Sequence, residues 1–322
     1  MSINLNTKSL REAYGLALVE LGKKDKNVVA LEADLGNSTR SVLFRAEFPD
    51  RHFEMGIAEQ NMASTSAGLA LAGKIPFMST FAVFASGRAF DQLRNSICIP
   101  KLKVRVCGSS AGLSDFGDGK THQSVEDIAI MRALPNMTVL APVDAVEVVK
   151  MMERINEIDG PVYIRINRND LPTLTPEAGD WTPGKLWTVR EGSDAVVFAS
   201  GVMASKALEA AQVLSGEGIS VRVINASTIK PMNASAVIQA ASGVKGIVTA
   251  EESNISGGFG SAILEVLRAE RHGPVEFVGI QDCFGVSAKN YDELLERYGL
   301  TAYAIAQAVR KVVKAAGGVA GA

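Results

Sequence analysis

Two carboxylates and one imidazole stand where they could move protons. Glu59 lies in Glu54-Met55-Gly56-Ile57-Ala58-Glu59-Gln60-Asn61-Met62, and Asp118 and His122 share Gly117-Asp118-Gly119-Lys120-Thr121-His122-Gln123. A strand-like run, 51–55, leads through Gly56 into a small-residue stretch, 58–72, with Glu59 in its first turn. A carboxylate there is either a helix-start charge, favourable with the dipole, or a buried acid kept for proton chemistry. In the second segment the glycines let backbone amides approach a ligand, Asp118 can accept from hydroxyls, and His122 can shuttle protons near neutral pH. An ordinary loop with a capping acid would look similar.

Other residues could hold flat or anionic groups. Phe81 and Phe84, in Ser79-Thr80-Phe81-Ala82-Val83-Phe84, can form a stacking wall for a heterocycle or simply pack in a core. Arg11, Arg165 and Arg168, with Ser38 in the polar turn Gly36-Asn37-Ser38-Thr39, are candidates for an anion site. Arginine suits phosphate through its forked donors, although a surface ion pair is the commoner fate of a single arginine. Ser256-Gly257-Gly258-Phe259-Gly260 is a poor dinucleotide fingerprint and reads better as a tight helix entry.

The elements that must carry these residues alternate. Strands are expected at 28–31, 75–78, 103–107, 138–141 and 162–166. Helices are expected at 10–21, 59–72, 87–97, 124–132 and 145–158, the last with Asp144 as N-cap. Pro172, Pro176, Gly179, Pro183 and Gly184 then break the rhythm and mark a linker. Alternation resumes with strands at 195–199, 221–225, 247–250 and 275–279. Helices follow at 204–214, 234–241, 260–268, 291–298 and 301–315, and the glycine-rich end, 317–322, should fray. This is an α/β chain with mostly parallel sheets in two domains, 1–175 and 189–322, joined by a linker at 176–188.

Composition narrows the class. Lys+Arg 33 against Asp+Glu 35 gives no electrostatic case for nucleic acid or an anionic membrane surface. No apolar run is long enough to span a bilayer, and MSINLNTKSLRE lacks the layout of a signal peptide. Cys98, Cys107 and Cys283 form no CxxC, and with three histidines no all-protein metal site is expected. A soluble cytoplasmic protein fits best.

Taken in order, Gly56-Ile57-Ala58-Glu59-Gln60-Asn61-Met62, Ser79-Thr80-Phe81, Arg88-Ala89-Phe90-Asp91-Gln92, Asp118-Gly119-Lys120-Thr121-His122-Gln123 and Leu134-Pro135-Asn136-Met137 resemble transketolase. The likeness covers this chain but only the C-terminal half of a full-length transketolase. It implies two α/β/α sandwich domains, a thiamine-diphosphate-binding pyrimidine domain followed by the transketolase C-terminal domain. The family's diphosphate and metal domain carries Gly-Asp-Gly with an asparagine downstream. Here the corresponding stretch after Gly117-Asp118-Gly119 is Val143-Asp144-Ala145-Val146, so this motif matches the family's substrate loop instead.

The chain therefore resembles one subunit of a split transketolase. A partner would supply the diphosphate domain and the ligands of Mg2+ or another divalent cation, and two copies of each chain would assemble. The resemblance gives Glu59 the role of hydrogen-bonding N1′ of the thiamine aminopyrimidine, which favours the imino tautomer able to take the thiazolium C2 proton. Phe81, Phe84, Asp34 and Ile57 match cofactor positions. Arg11, Ser38, Asp118, His122 and Arg168 match positions that hold a phosphorylated sugar. Two departures touch the substrate: Ser110 stands for a family histidine and Gly117 for a family acid. A different phosphoketose or a sulfonated sugar is consistent with them. The same architecture admits a 2-oxo acid dehydrogenase β subunit, a deoxyxylulose-phosphate-synthase-like enzyme, or a non-catalytic scaffold.

Overall fold

The computed structural model describes residues 8–319. The first part of the chain runs α1 (Leu10–Lys24), β1 (Val28–Glu32), α2 (Gly36–Thr39), α3 (Val42–Glu47), β2 (His52–Glu54), α4 (Glu59–Leu71) and β3 (Ile75–Phe81). It continues through α5 (Phe90–Gln92), β4 (Arg105–Ser109), α6 (Asp127–Ala133), β5 (Thr138–Leu140), α7 (Ala145–Arg154) and β6 (Val162–Arg165). After an irregular stretch come β7 (Trp187–Arg190), β8 (Ala195–Ala199), α8 (Met203–Ser215), β9 (Val221–Asn225) and β10 (Thr228–Lys230). The last elements are α9 (Ala234–Ala241), β11 (Gly246–Asn254), α10 (Phe259–Leu267), β12 (Val275–Ile280), α11 (Tyr291–Arg297) and α12 (Ala302–Val319).

Among the described residues the strands form two sheets, ordered β10-β5-β6-β4-β3-β1-β2 and β12-β11-β8-β9-β7. Pairing is parallel except at two edges, where β10 runs against β5 and β7 against β9. Central strands such as β1, β4 and β8 are buried along their whole length. Such strands need helices on both faces, and the short apolar runs of the sequence encode that. α1 and α7 pack together on one face of the first sheet, and α4 lies against β3. The caps are written locally: Ser9 Oγ accepts from Glu12 N, and Asp144 Oδ1 accepts from Glu147 N at 2.8 Å. Asp144 Oδ2 also accepts from the N–H groups of Leu174 and Thr175, which pins the irregular stretch to the start of α7.

Four sequence expectations need correction. The helix expected at 87–97 is a chain of π-helical turns, Phe84–Arg88 and Leu93–Cys98, around a short α-helical piece. Ser86 Oγ bonds back to the Ala82 carbonyl at 2.7 Å, and such insertions into the helical ladder favour widened turns. The helix expected from 124 begins at Asp127, because the backbone of Ser124 is engaged in an antiparallel bridge with Gly112. Strands β7 and β10 were not foreseen; each is short and lies at a sheet edge. At the chain end α12 carries on to Val319, since extending a docked helix adds a hydrogen bond for each residue fixed. The rest of the expected frayed end, 320–322, lies outside the described residues, as do residues 1–7 of the stretch read as lacking a signal peptide.

β10 matters for assembly of the fold. It follows β9 of the second sheet yet completes the edge of the first, so the two sheets are interleaved in sequence. A buried ionic network also spans them. Arg165 Nε donates to both Asp127 oxygens at 3.2 and 3.0 Å, and its Nη2 donates to the Glu252 carbonyl at 2.7 Å. Burial alone would lower the Arg165 pKa, but Asp127 and Glu252 outweigh it and hold the guanidinium charged. Of the two fates the sequence left open for Arg165, an anion site or an ion pair, the structure shows the ion pair: its Nε and Nη2 are engaged by Asp127 and Glu252.

Candidate active site

The candidate residues come together because most lie just past the carboxyl ends of parallel strands. Asp34 and Ser38 follow β1, Ile57 and Glu59 follow β2, and Phe81 and Phe84 end and follow β3. Ser110, Asp118 and His122 follow β4, Arg168 follows β6, and Arg11 reaches the same edge from α1. In open α/β sheets this edge, where the strand order reverses, is where ligands bind.

Glu59 opens α4 with no side-chain N-cap before it, and it is 1% exposed. Both sequence readings of this residue meet here, since it is a first-turn acid and also a buried one. Arg88 Nη1 donates to its two oxygens at 3.0 and 3.1 Å. The Arg88 guanidinium lies over the Phe84 ring, 4.3 Å from its centroid. Phe81 and Phe84 stack at 6.0 Å with planes 13° apart. His122 stands edge-on to both, 5.5 Å from Phe84 and 6.1 Å from Phe81. Phe81 is buried as a core residue would be, whereas Phe84 is half-buried and presents its face to the Arg88 guanidinium.

The loop carrying Asp118 and His122 is positioned by the second half of the chain. Gln123 Nε2 donates to the Val286 carbonyl, and Ala288 N donates to the Phe116 carbonyl at 2.8 Å. Gly119 has φ +73°, and a Cβ there would collide with Ser287, so this tight contact requires glycine. Asp118 is exposed, and His122 Nδ1 shares a hydrogen bond with Thr121 Oγ1.

Arg11 and Arg168 form a basic cluster with Arg40, which the sequence reading missed. Burial, then Arg168 and Arg40, lower the Arg11 pKa from its usual value, with Asp170 and Glu12 only partly offsetting them. Arg11 Nη1 donates to the Ser38 carbonyl at 3.2 Å, while its buried Nε has no partner. Arg168 is held by Asp115 at 2.7 Å and lies 6.0 Å from the centre of the Phe81 ring. The signal for Arg40 was adjacency, since it ends the turn that contains Ser38. Ser110, also in the left-handed region at φ 52°, keeps a buried hydroxyl without a partner.

Asp34 and Ile57 are both exposed, Ile57 to 73%. Among the described residues no hydrogen bond or ion pair links either to Glu59, Arg88 or Phe84. The Asp34 backbone N–H donates to Glu54 Oε1, which also accepts from Gly56 N. Glu54 pairs in register with Glu32. Burial, reinforced by the Glu54 carboxyl, pushes Glu32 up to about 7. Neither acid was singled out from sequence, because their pairing exists only across strands.

Two family models match the chain in succession: the transketolase pyrimidine binding domain over residues 6–173 and the transketolase C-terminal domain over residues 184–305. The chain belongs to the transketolase family. A putative transketolase C-terminal section of Methanocaldococcus jannaschii is 41% identical over 310 residues, covering 95% of this chain and 97% of that protein. A 6-deoxy-6-sulfo-D-fructose transketolase subunit of a Clostridium species is 40% identical over 312 residues, covering 97% of each. Among solved structures, a split-gene transketolase described as an inactive beta4 tetramer superposes with a TM-score of 0.86 at 45% identity. That match covers 95% of this chain and 98% of that one.

The transketolase family depends on thiamine diphosphate, and the residues present fit its aminopyrimidine. A buried carboxylate faces a stacking aromatic surface, and a planar, nitrogen-rich group of the chain itself already fits between them. The buried Thr80 Oγ1, beside Phe81, is left without a partner. The described residues form no cluster of three His, Cys, Asp or Glu able to hold a metal.

Proposed function

We propose that this chain is the pyrimidine-side subunit of a split transketolase. It would transfer a two-carbon ketol unit from a ketose with an anionic end to an aldose. The observation that carries this reading is the buried Glu59 carboxylate set against the Phe84 face. When bound, thiamine diphosphate supplies the nucleophilic carbon that the protein lacks.

The chain's own residues then have distinct tasks. Glu59, buried at the start of α4, holds a proton at N1′ of the aminopyrimidine. Phe84 and Phe81 fix the plane of the ring, and Ile57 and Asp34 border it. His122, edge-on to both phenylalanines, stands where it can exchange a proton with a sugar hydroxyl, and Asp118 accepts from another. Arg11, Arg168 and Ser38 hold the anionic end of the sugar, with Ser110 in the space of the family histidine. The basic cluster suits phosphate and sulfonate alike.

The diphosphate and its Mg2+, or another divalent cation, fall to a partner subunit. Gln60, Ser64, Gly68 and Leu71 form an exposed stripe on α4, with Leu71 74% exposed and open space above Gly68. This supports close packing against a second copy in a two-plus-two assembly. Free Cys98, Cys107 and Cys283 support a reducing cytoplasm. No helix among the described residues is long and apolar enough to cross a membrane. Matches over nearly the full length to a split-gene transketolase, a transketolase subunit and a putative transketolase C-terminal section favour this reading over the dehydrogenase, synthase and scaffold alternatives.

The test is reconstitution. The purified chain, given thiamine diphosphate and Mg2+, should not transfer ketol units from phospho- or sulfoketoses until the partner subunit is added. Turnover by the chain alone would overturn the split assignment.

A further inference from the structure

We propose that Arg88 is a place-holder for the cofactor's aminopyrimidine and must swing out of the Glu59–Phe84 cleft before the cofactor can enter. This rests on the transketolase reading of the site.

Three observations lead to it. The guanidinium satisfies both surfaces that a flat, nitrogen-bearing ring would use: it donates to the Glu59 oxygens at 3.0 and 3.1 Å and lies 4.3 Å from the Phe84 ring centre. A planar cation on an aromatic face is favourable in its own right. Second, Glu59 is 1% exposed, and a buried carboxylate with no counter-charge is costly, so the cofactor-free chain needs a cation there. Third, Arg88 is free to leave. Its side chain is 47% exposed, Gly87 beside it has open space, and it ends a π-helical turn rather than a packed helix.

The contact would also keep Glu59 from proton exchange until the cofactor enters. A carboxylate bound to guanidinium acts only as an acceptor and has no proton to give. Departure of Arg88 frees Glu59 to share a proton with the ring. Arg88 thus couples filling of the site to activation of its acid, and the apparent cofactor affinity is reduced by the fraction of molecules in which it blocks the cleft.

Thiamine diphosphate binding to the assembled wild-type, Arg88→Met and Arg88→Lys complexes, measured by calorimetry with Mg2+ present, tests the proposal. Arg88→Met keeps the bulk of the side chain without its charge, and Arg88→Lys keeps the charge without the planar fork. The expected result is binding about five-fold tighter for Arg88→Met, with Arg88→Lys between it and wild type. Wild-type binding that is unchanged or weakened in both variants would overturn the place-holder while leaving the function intact. A wild-type complex that binds no thiamine diphosphate would overturn the function and the place-holder together.

Discussion

The guanidinium of Arg165, at the end of β6, lies 3.7 Å from the carboxylate of Glu252 on β11, and neither side chain is more than 6% exposed. This pair joins strands of different sheets. Glu252 Oε1 also accepts from Leu113 N at 2.8 Å, on the segment that leads into the Asp118–His122 loop. The ion pair therefore bears on both the union of the sheets and the shape of the site.

Breaking it from one side should be severe. Glu252→Ala leaves a buried guanidinium short of one counter-charge and should destabilise the chain by about 3–5 kcal/mol. Chemical denaturation of wild type and variant measures this, and a loss no larger than that of an exposed ion pair would contradict the structural role.

A second buried acid predicts a pH dependence. Glu147 is pushed up to about 7 by burial, against the pull of Ser227, Val143 N and Asn225. Its folded pKa is raised, so its contribution to stability is full below the unfolded value of about 4.3 and is lost as pH rises through about 7. Between pH 5 and 8, wild type should lose about 2 kcal/mol more stability than Glu147→Gln. Denaturation midpoints at the two pH values provide the comparison.

Glu59→Gln removes the exchangeable acid while keeping size and polarity. In the assembled enzyme it should lower kcat by about 10²–10⁴-fold. Steady-state kinetics at saturating cofactor report this, and a variant within two-fold of wild type would remove Glu59 from the chemistry.

Arg11→Ala should act on binding rather than turnover. Loss of one charge-assisted contact, about 1.5–3 kcal/mol, should raise KM for a phospho- or sulfoketose about 10–100-fold with kcat little changed. An uncharged ketose should show no such difference. Equal effects on both substrates would place Arg11 in structural support instead.

Much of this was legible in advance. The N-cap at Asp144, the buried parallel strands and the breaker-rich stretch follow from local chemistry, and local chemistry is what a sequence displays. Glu251 shows the same for the glycine-rich turn at Ser256: its carboxylate accepts from Phe259 N and Gly260 N, making a helix entry rather than a dinucleotide site. The sequence left Arg165 open between an anion site and an ion pair because its partners are 38 and 87 residues away, and no spacing rule connects them. The Glu32–Glu54 pair was passed over for the same reason, whereas Arg40 could have been found by its adjacency to the turn that holds Ser38.

By itself the sequence determined most of the residue types at the carboxyl edge of the first sheet, because most follow a strand whose apolar run fixes its place. It also determined the family through motifs that keep their order along the chain. Tertiary structure alone decided which charges meet. It placed Arg165 between Asp127 and Glu252, gathered Arg40 with Arg11 and Arg168, and laid Arg88 across Glu59 and Phe84. The physical reason is range: backbone propensity and capping act within a few residues, whereas desolvated charges select partners by distance in space.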